Sequence, residues 1–298
     1  MTATPDSLFL GRPHFDDPAL AQLARESGPA AVWTRLLANG GDGPLAAART
    51  ARGDFAVAMR EASGRTFLAV DRFSIQTLCY RIRNGRLEFA ERTDALADAD
   101  AALDPQSLFD YLYFHVIPSP RTVFVGVHRL PPGHCALFED GRLTVAPYWQ
   151  PEFSEGGGTF EALREEFRAR LDAAVARQLD GGKAACFLSG GTDSSTVAGM
   201  IGQAAGRPAA TYSIGFDAAG YDEMEYARIA ARRFGTEHHE YYVTPDDLVR
   251  SIGDVAGHYD QPFGNSSALP AYYCAKSSAP GSTPRSRASS TAARRHAS

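Results

Sequence analysis

The residues of this 298-residue chain best placed to do chemistry are Ser189, Gly190, Gly191, Asp193, Ser194 and Ser195, all within one short stretch. Three hydroxyls supply uncharged donors, two glycines let a ligand come close to the main chain, and Asp193 is a hard oxygen ligand. Before them, Lys183–Leu188 is a short apolar run with the look of a buried parallel strand. After them, Val197, Met200 and Ile201 recur at helical spacing, which predicts a helix over 193–205. A strand turning sharply into a helix aims unpaired N–H groups and the positive end of the helix dipole at one point. That is a cradle for a polyphosphate, with Asp193 suited to a Mg²⁺ ion on it. The plain alternative is a Ser/Gly-rich helix cap without a ligand; the strand before and helix after favour the cradle. The GxxxxGK[ST] pattern of a Walker loop is missing, and no Lys follows the glycines.

Further elements must position this loop. Ala209–Gly215 reads as a second strand, Asp222–Phe234 as a helix stopped at Gly235, and Glu237–Val243 as a third strand. Thr244-Pro245-Asp246-Asp247 is a helix start, and 266–276 continues as helix. Thr159–Leu179 sets Phe160, Leu163, Phe167, Leu171, Val175 and Leu179 on one helical face. Strict alternation of strand and helix predicts a doubly wound parallel sheet, whose ligands bind beyond the C-terminal strand ends.

The first half has a different texture. One helix is predicted around Ala19–Leu37, broken by Gly and Pro at 28–29. From Gly53 the pattern is β: GDFAVAMR, a turn at Gly64, then RTFLAV. Cys79–Arg83 and Arg86–Ala90 flank Asn84-Gly85, a type I′ hairpin signal, and Asp140-Gly141 repeats it later. A mostly antiparallel domain is expected over 1–150 and the parallel one over 159–276, with Ser154–Gly158 as linker.

With those residues placed, Ser-Gly-Gly-x-Asp-Ser-Ser resembles the PP-loop of the N-type ATP pyrophosphatases. Tyr212–Phe216, Tyr221-Asp222-Glu223 with Tyr226-Ala227, and Phe234–Glu240 are similar to ordered blocks of the glutamine-hydrolysing asparagine synthetases. Asp260-Gln261-Pro262-Phe263 with Ser267–Pro270 resembles the family's block near the aspartate pocket, with Gln261 where Glu is usual. Gly53–Ala56 and Asp71-Arg72-Phe73 resemble the second half of its glutaminase domain. The resemblance implies an N-terminal α+β domain like the Ntn hydrolases and a C-terminal sheet of the adenine nucleotide alpha hydrolase kind.

It also implies an ATP-dependent, AMP-forming amide ligase that turns aspartate, ATP and ammonia or glutamine into asparagine, AMP and pyrophosphate. Phe187, Leu188 and Ile214 would lie against adenosine, Ser189, Gly190, Gly191, Ser194 and Ser195 would hold pyrophosphate, and Asp193 would hold Mg²⁺. The alternatives within the resemblance are a β-lactam-forming or peptide-cyclising synthetase, or an inactive nucleotide-binding remnant. The family's glutaminase nucleophile is a cysteine at position 2. Here that residue is Thr2, and 1–52 lacks the family's glutamine-binding segments, so no catalytic residue is assigned and no glutaminase activity is expected. The family's second ATP-facing loop and catalytic lysine have no counterpart after residue 276, which predicts an incomplete synthetase sheet and weakened adenylation.

Composition narrows the rest. Net charge is −5, so no general attraction to nucleic acid is implied. No apolar run approaches the ~20 residues of a membrane span. Four dispersed cysteines without a CxxC pair read as reduced thiols of a cytoplasmic protein. The expected partner is a small carboxylate such as aspartate, and the chain is compatible with a homodimer. Residues 277–298 hold four Arg, no acid and no large apolar residue, which predicts a disordered tail. His238-His239 in a strand would face opposite sides, against joint metal binding. Asp222-Glu223 is read as a helix cap, Asp71-Arg72 as an ion pair, and Asp260 as either a cap or a pocket residue.

Overall fold

The computed structural model describes residues 6–38, 43–179, 184–216 and 224–278. The contacts divide them into two units: residues 6–154 with Tyr259–Gly264, and residues 155–258 with the chain from Asn265 onward. Thr2, Asp222, Glu223 and nearly all of the expected tail fall outside the described residues.

The first unit begins with β1 (Ser7–Gly11) and β2 (His14–Phe15), followed by three helices. These are α1 (Pro18–Ser27), α2 (Pro29–Ala38) and α3 (Gly43–Thr50). The helix expected around Ala19–Leu37 is divided at the expected break, where Gly28 takes φ +80° and Pro29 starts α2. Strands β3 (Ala51–Arg52), β4 (Phe55–Arg60), β5 (Thr66–Val70), β6 (Cys79–Arg83) and β7 (Arg86–Ala90) follow. Then come α4 (Pro105–Phe114), β8 (His128–Arg129), β9 (His134–Glu139) and β10 (Arg142–Pro147). Both predicted hairpin turns have the positive φ pair that type I′ demands, 51° and 71° at Asn84-Gly85 and 51° and 75° at Asp140-Gly141.

Three layers result. The antiparallel sheet β1-β4-β5-β9-β10 lies between the helices and the sheet β7-β6-β8, with β2-β3 as a small ladder. Alternation along β4 sorts its side chains: Phe55 and Val57 join Trp33, Phe15 and Phe67 under the helices, while Ala56 and Ala58 face Leu78, Leu87 and Phe89. Covered on both faces, β4 and β5 are buried almost throughout, which is why they read as continuous apolar runs.

Two expectations need correction here. Asp71 does not pair with Arg72. It is 2% exposed and accepts the amides of Phe55, Phe73, Ile75 and Gln76 at 2.9–3.2 Å, so four oriented dipoles serve in place of a counter-charge. Arg72 instead lies over the Trp149 ring, 5.4 Å from its centroid. Asp260 is neither a helix cap nor an open pocket residue. Within the first unit it receives Arg129 Nη2 on both carboxylate oxygens, at 2.9 and 2.7 Å, and the Thr93 amide at 2.7 Å. Thr93 Oγ1 donates back to the Asp260 carbonyl, and Val123 N donates to the Gln261 side chain.

The second unit holds α5 (Phe160–Gln178), β11 (Ala185–Phe187), α6 (Thr192–Ala205), β12 (Ala210–Phe216) and α7 (Met224–Phe234). It continues with β13 (Glu237–Val243), α8 (Pro245–His258) and α9 (Ala268–Ser278). The sheet β11-β12-β13 is parallel throughout. Leu188, Ala198, Met224, Ala227, Ala230 and Ala231 form the core between it and α6–α7, and Tyr273 of α9 stacks on Tyr241 of β13 at 5.4 Å. The expected apolar face of α5 does not form a buried stripe: none of the helix's residues is buried, and Phe160 is 72% and Phe167 63% exposed.

The start of α8 is a reciprocal cap. Thr244 Oγ1 accepts the Asp247 amide at 3.2 Å, and Asp247 Oδ2 accepts the Thr244 amide at 3.1 Å. Burial alone would raise the Asp247 carboxyl, yet Thr244, Arg250 and Tyr241 together hold it down to about 2. A carboxylate depressed in the folded state stabilises fully above its unfolded value, and that contribution is lost as pH falls through the folded one. Asp247→Asn is therefore expected to lower stability by about 1–2 kcal/mol near neutrality and to flatten the acid limb between about pH 4 and 2. Urea unfolding at about pH 7 and pH 3 measures both effects; an unchanged acid limb would refute the assignment.

Candidate functional site

Strand β11 is short because its work is to deliver the chain to one anchor. It pairs with β12 from Ala185↔Ala210 to Phe187↔Tyr212, and Leu188 N extends the ladder to Tyr212 O at 2.9 Å. Leu188 is 1% exposed and packs into the core below α6 and α7, while Ser213 Oγ donates to its carbonyl. The strand itself is not buried as expected. It lies at the sheet edge, with Ala185 and Phe187 exposed and Cys186 half-buried. Burial raises the Cys186 thiol, which keeps it protonated and unsuited to attack.

Beyond the anchor the chain reverses. Gly190 takes φ +84°, and a Cβ there would lie 2.5 Å from both Ala227 N and Tyr226 C. The loop is thus pressed against the backbone at the start of α7, a contact only glycine permits. Gly199 does the same one helix layer away, since its missing Cβ leaves room for the Phe234 ring, which a Cβ would meet at 2.7 Å. Helix α6 then begins after Gly191 with no side-chain cap, so its first-turn amides and dipole face outward.

Not every amide of the loop is bare. Ser194 Oγ accepts Ser189 N, and Ser189 Oγ accepts Gly191 N, both at 3.3 Å. The two hydroxyls are 3.0 Å apart, and Ser194 Oγ also donates to Gly191 O at 3.2 Å. Small hydroxyls set five residues apart across a tight turn fold back on it in this way. These contacts are long and mostly exposed, so an incoming oxyanion can displace them at small cost. Asp193 is exposed in the first turn of α6 and Ser195 is half-buried behind it.

Side-chain alternation sets the flanks. Phe187, Tyr212 and His239 are in register and share one sheet face, on which Tyr212 stacks on His239 at 4.8 Å. Ile214 lies two residues further along that face, so Phe187 and Ile214 stand on the same side. His238 points the other way, with Nδ1 2.9 Å from Thr211 Oγ1, and burial lowers its pKa. Among the described residues no cluster of His, Cys, Asp and Glu could hold a metal, and no helix is long and apolar enough to cross a membrane.

Sequence reasoning missed two contributors. The backbone at Tyr226–Ala227 fixes the loop, and Ser213 fixes its anchor; only the pair Gly190-Gly191 hinted at the first.

Comparison with known proteins supplies the context. A family model described as asparagine synthase matches residues 166–283, and one described as a glutamine amidotransferase domain matches residues 30–149. Asparagine synthetase [glutamine-hydrolyzing] 1 of Bacillus subtilis (strain 168) is 28% identical over 213 residues, covering 70% of this chain and 33% of that protein. Amidase chyE of Penicillium rubens is 30% identical, over 71% of this chain and 34% of its own. The chain therefore spans about a third of the length of these curated relatives. A glutamine phosphoribosylpyrophosphate amidotransferase structure from B. subtilis overlays with a TM-score of 0.32 at 12% identity, over 88% of this chain and 71% of that one, too loosely to bear on the site. The antiparallel layers of the first unit are an amidotransferase domain of the Ntn-hydrolase-like kind, and the small parallel sheet is part of a synthase domain. With both halves matched in this order, the chain belongs to the asparagine synthase family.

Proposed function

We propose that the second unit binds Mg-ATP at Ser189–Ser195 as part of an AMP-forming amide ligase. The uncapped start of α6 beside a glycine wedged against α7 is the observation that carries this reading. In the proposed reaction a substrate carboxylate oxygen, that of aspartate in the asparagine case, attacks the α-phosphorus of ATP. The bond to the β-phosphate oxygen breaks and pyrophosphate leaves. Ammonia then attacks the acyl carbon, the bond to AMP breaks, and the nitrogen releases a proton.

This chain's own groups would act on the polyphosphate end. The amides of the α6 first turn, with the hydroxyls of Ser189, Ser194 and Ser195, would take up the charge that grows on the departing pyrophosphate. Phe187 and Ile214, on one sheet face, would bound the adenosine. Asp193, exposed and without a described partner, would hold Mg²⁺, which neutralises pyrophosphate charge when bound.

Millimolar Mg-ATP is expected to raise the melting temperature of the second unit, by the equivalent of about 2.7 kcal/mol at a hundredfold excess over Kd. AMP, lacking the β- and γ-phosphates, should give a much smaller shift. Asp193→Ala should abolish most of the Mg-ATP shift while leaving the melting temperature without ligand within a degree or two. Equal shifts with ATP and AMP, or a full shift in Asp193→Ala, would remove the loop from the reading.

A further inference from the structure

Helix α4, in the first unit, is turned inside out. At 100° per residue its sequence PQSLFDYLYF sets Pro105, Leu108, Phe109, Leu112 and Tyr113 on one stripe about 140° wide, with no charge among them. A surface helix ordinarily buries such a stripe. Here the only buried residue of the helix is Ser107, whose Oγ donates to Asp104 at 2.8 Å, and Asp110 and Tyr111 beside it are half-buried. The apolar stripe faces out: Leu112 is 73% exposed, Tyr113 71% and Phe109 63%, with Leu108 less so. Phe114 and Val116 extend the exposed surface beyond it.

Both ends of the helix are fixed, so it cannot roll to hide this face. At the start, Asp104 N donates to Val123 O at 2.9 Å, and Arg121 holds the Asp104 carboxylate at 3.0 Å. At the end, His115 takes φ +61° and returns its N–H to Tyr111 O at 2.8 Å, and Ile117 is buried just beyond. The outward face exposes about 550 Å² of apolar side chain, taking about 200 Å² for a whole aromatic and roughly half that for an aliphatic. That is near the upper end for a lone monomer. An ordinary interface buries about 800 Å² per partner, and in homodimers about two-thirds of it is apolar. The face supplies that apolar share by itself.

We propose that this face docks a second copy of the chain, α4 against α4 in antiparallel twofold packing. The stripe has two rows, Leu108 with Leu112 and Phe109 with Tyr113. A twofold axis across the helix lays each row on its own reversed counterpart. Leu108 then meets the partner's Leu112, Phe109 meets the partner's Tyr113, and each contact occurs twice. The aromatic pairs supply the anchors usual at the centre of an interface, and antiparallel helices oppose their dipoles. Although each copy carries −5, the stripe brings no like charges together. A strongly charged partner would find no counter-charge on it. Residues 277–298 hold no large apolar side chain to lay against it. The proposal does not depend on the reading of the Ser189–Ser195 loop.

Sedimentation equilibrium of the full chain tests this. A species of twice the 32.0 kDa chain should form. Its Kd should be in the micromolar range or below, as for an interface of about 800 Å² per partner. Phe109→Glu and Tyr113→Lys should each weaken the dimer about a hundredfold or more, because either change strikes two symmetric contacts. Mixing the two variants should restore a dimer: the introduced charges then face each other across one 109–113 contact, and the other contact is unaltered. Both positions are largely exposed, so circular dichroism of each variant should match that of the parent chain. A parent chain still monomeric at about 100 μM, ten to a hundred times such a Kd, would overturn the proposal. So would a dimer that neither variant weakens, a mixture that stays monomeric, or association that runs on to higher oligomers.

Discussion

Gly190→Ala should unfold the second unit roughly 10 °C earlier than the parent chain and remove its response to Mg-ATP. Two penalties combine. A residue with a Cβ at φ +84° costs about 1–2 kcal/mol. That Cβ would also sit 2.5 Å from main-chain atoms of Tyr226 and Ala227, which cannot swing aside as a flexible side chain could. Forcing α7 away adds about 1–3 kcal/mol and opens the core of Leu188, Met224 and Ala227 beneath the loop. At about 4 °C per kcal/mol for a unit of this size, the sum gives the stated shift. Gly206→Ala is the matched control: φ is +64°, but nothing lies within 4 Å, so only the backbone term of about 1 kcal/mol applies. Calorimetry of both variants decides the matter. Equal losses, with the nucleotide response kept, would mean that the loop does not depend on its contact with α7.

Asp260→Ala should be as damaging to the first unit, by about 3–5 kcal/mol. It strands the Arg129 guanidinium, whose side chain is 18% exposed, and frees the Thr93 amide. The double variant Asp260→Ala with Arg129→Met should recover much of the loss, because the penalty comes from one charge left behind rather than from a strong net attraction. Acid should mimic the substitution. Burial on its own would raise the Asp260 carboxyl, but the Thr93 amide and then Arg129 hold it below the usual carboxylate range. Its contribution is present above about pH 4 and disappears as pH falls through the folded value. Denaturant midpoints of the single and double variants across that range measure this. A double variant as unstable as the sum of the singles would refute the coupling.

Much of the architecture was legible because its signals are local. Asn84-Gly85 and Asp140-Gly141 announced two hairpins through a backbone that only such pairs adopt readily. Thr244-Pro245 announced α8 through a cap made by residues three apart. The apolar run of β4 and the extended stretch Glu237–Val243 marked two strands. What failed was mostly nonlocal. The reading of Lys183–Leu188 as a buried strand missed that β11 is an edge, since an apolar run says nothing about how many neighbours a strand has. Asp71-Arg72 looked like an ion pair because adjacent opposite charges suggest one, while the amides of the turn just after it, Phe73, Ile75 and Gln76, with that of Phe55 on the neighbouring strand, claim the carboxylate. Here the miss was local, a turn geometry that residue types do not announce. Asp260 meets Arg129 and Thr93 across more than a hundred residues, a pairing no spacing rule encodes.

By itself, then, the sequence determined which residue types stand at the turn between β11 and α6, since glycines, hydroxyls and a carboxylate act through chemistry they carry wherever they lie. Only the folded chain decided which of that turn's amides remain open. Ser194 reaches back to Ser189, Ser189 to Gly191, and α6 starts uncapped, because the backbone of α7 packs into the space a side chain on Gly190 would fill. Tertiary packing settles such contacts, because hydrogen bonds and close approaches depend on distances that the order of residues leaves free.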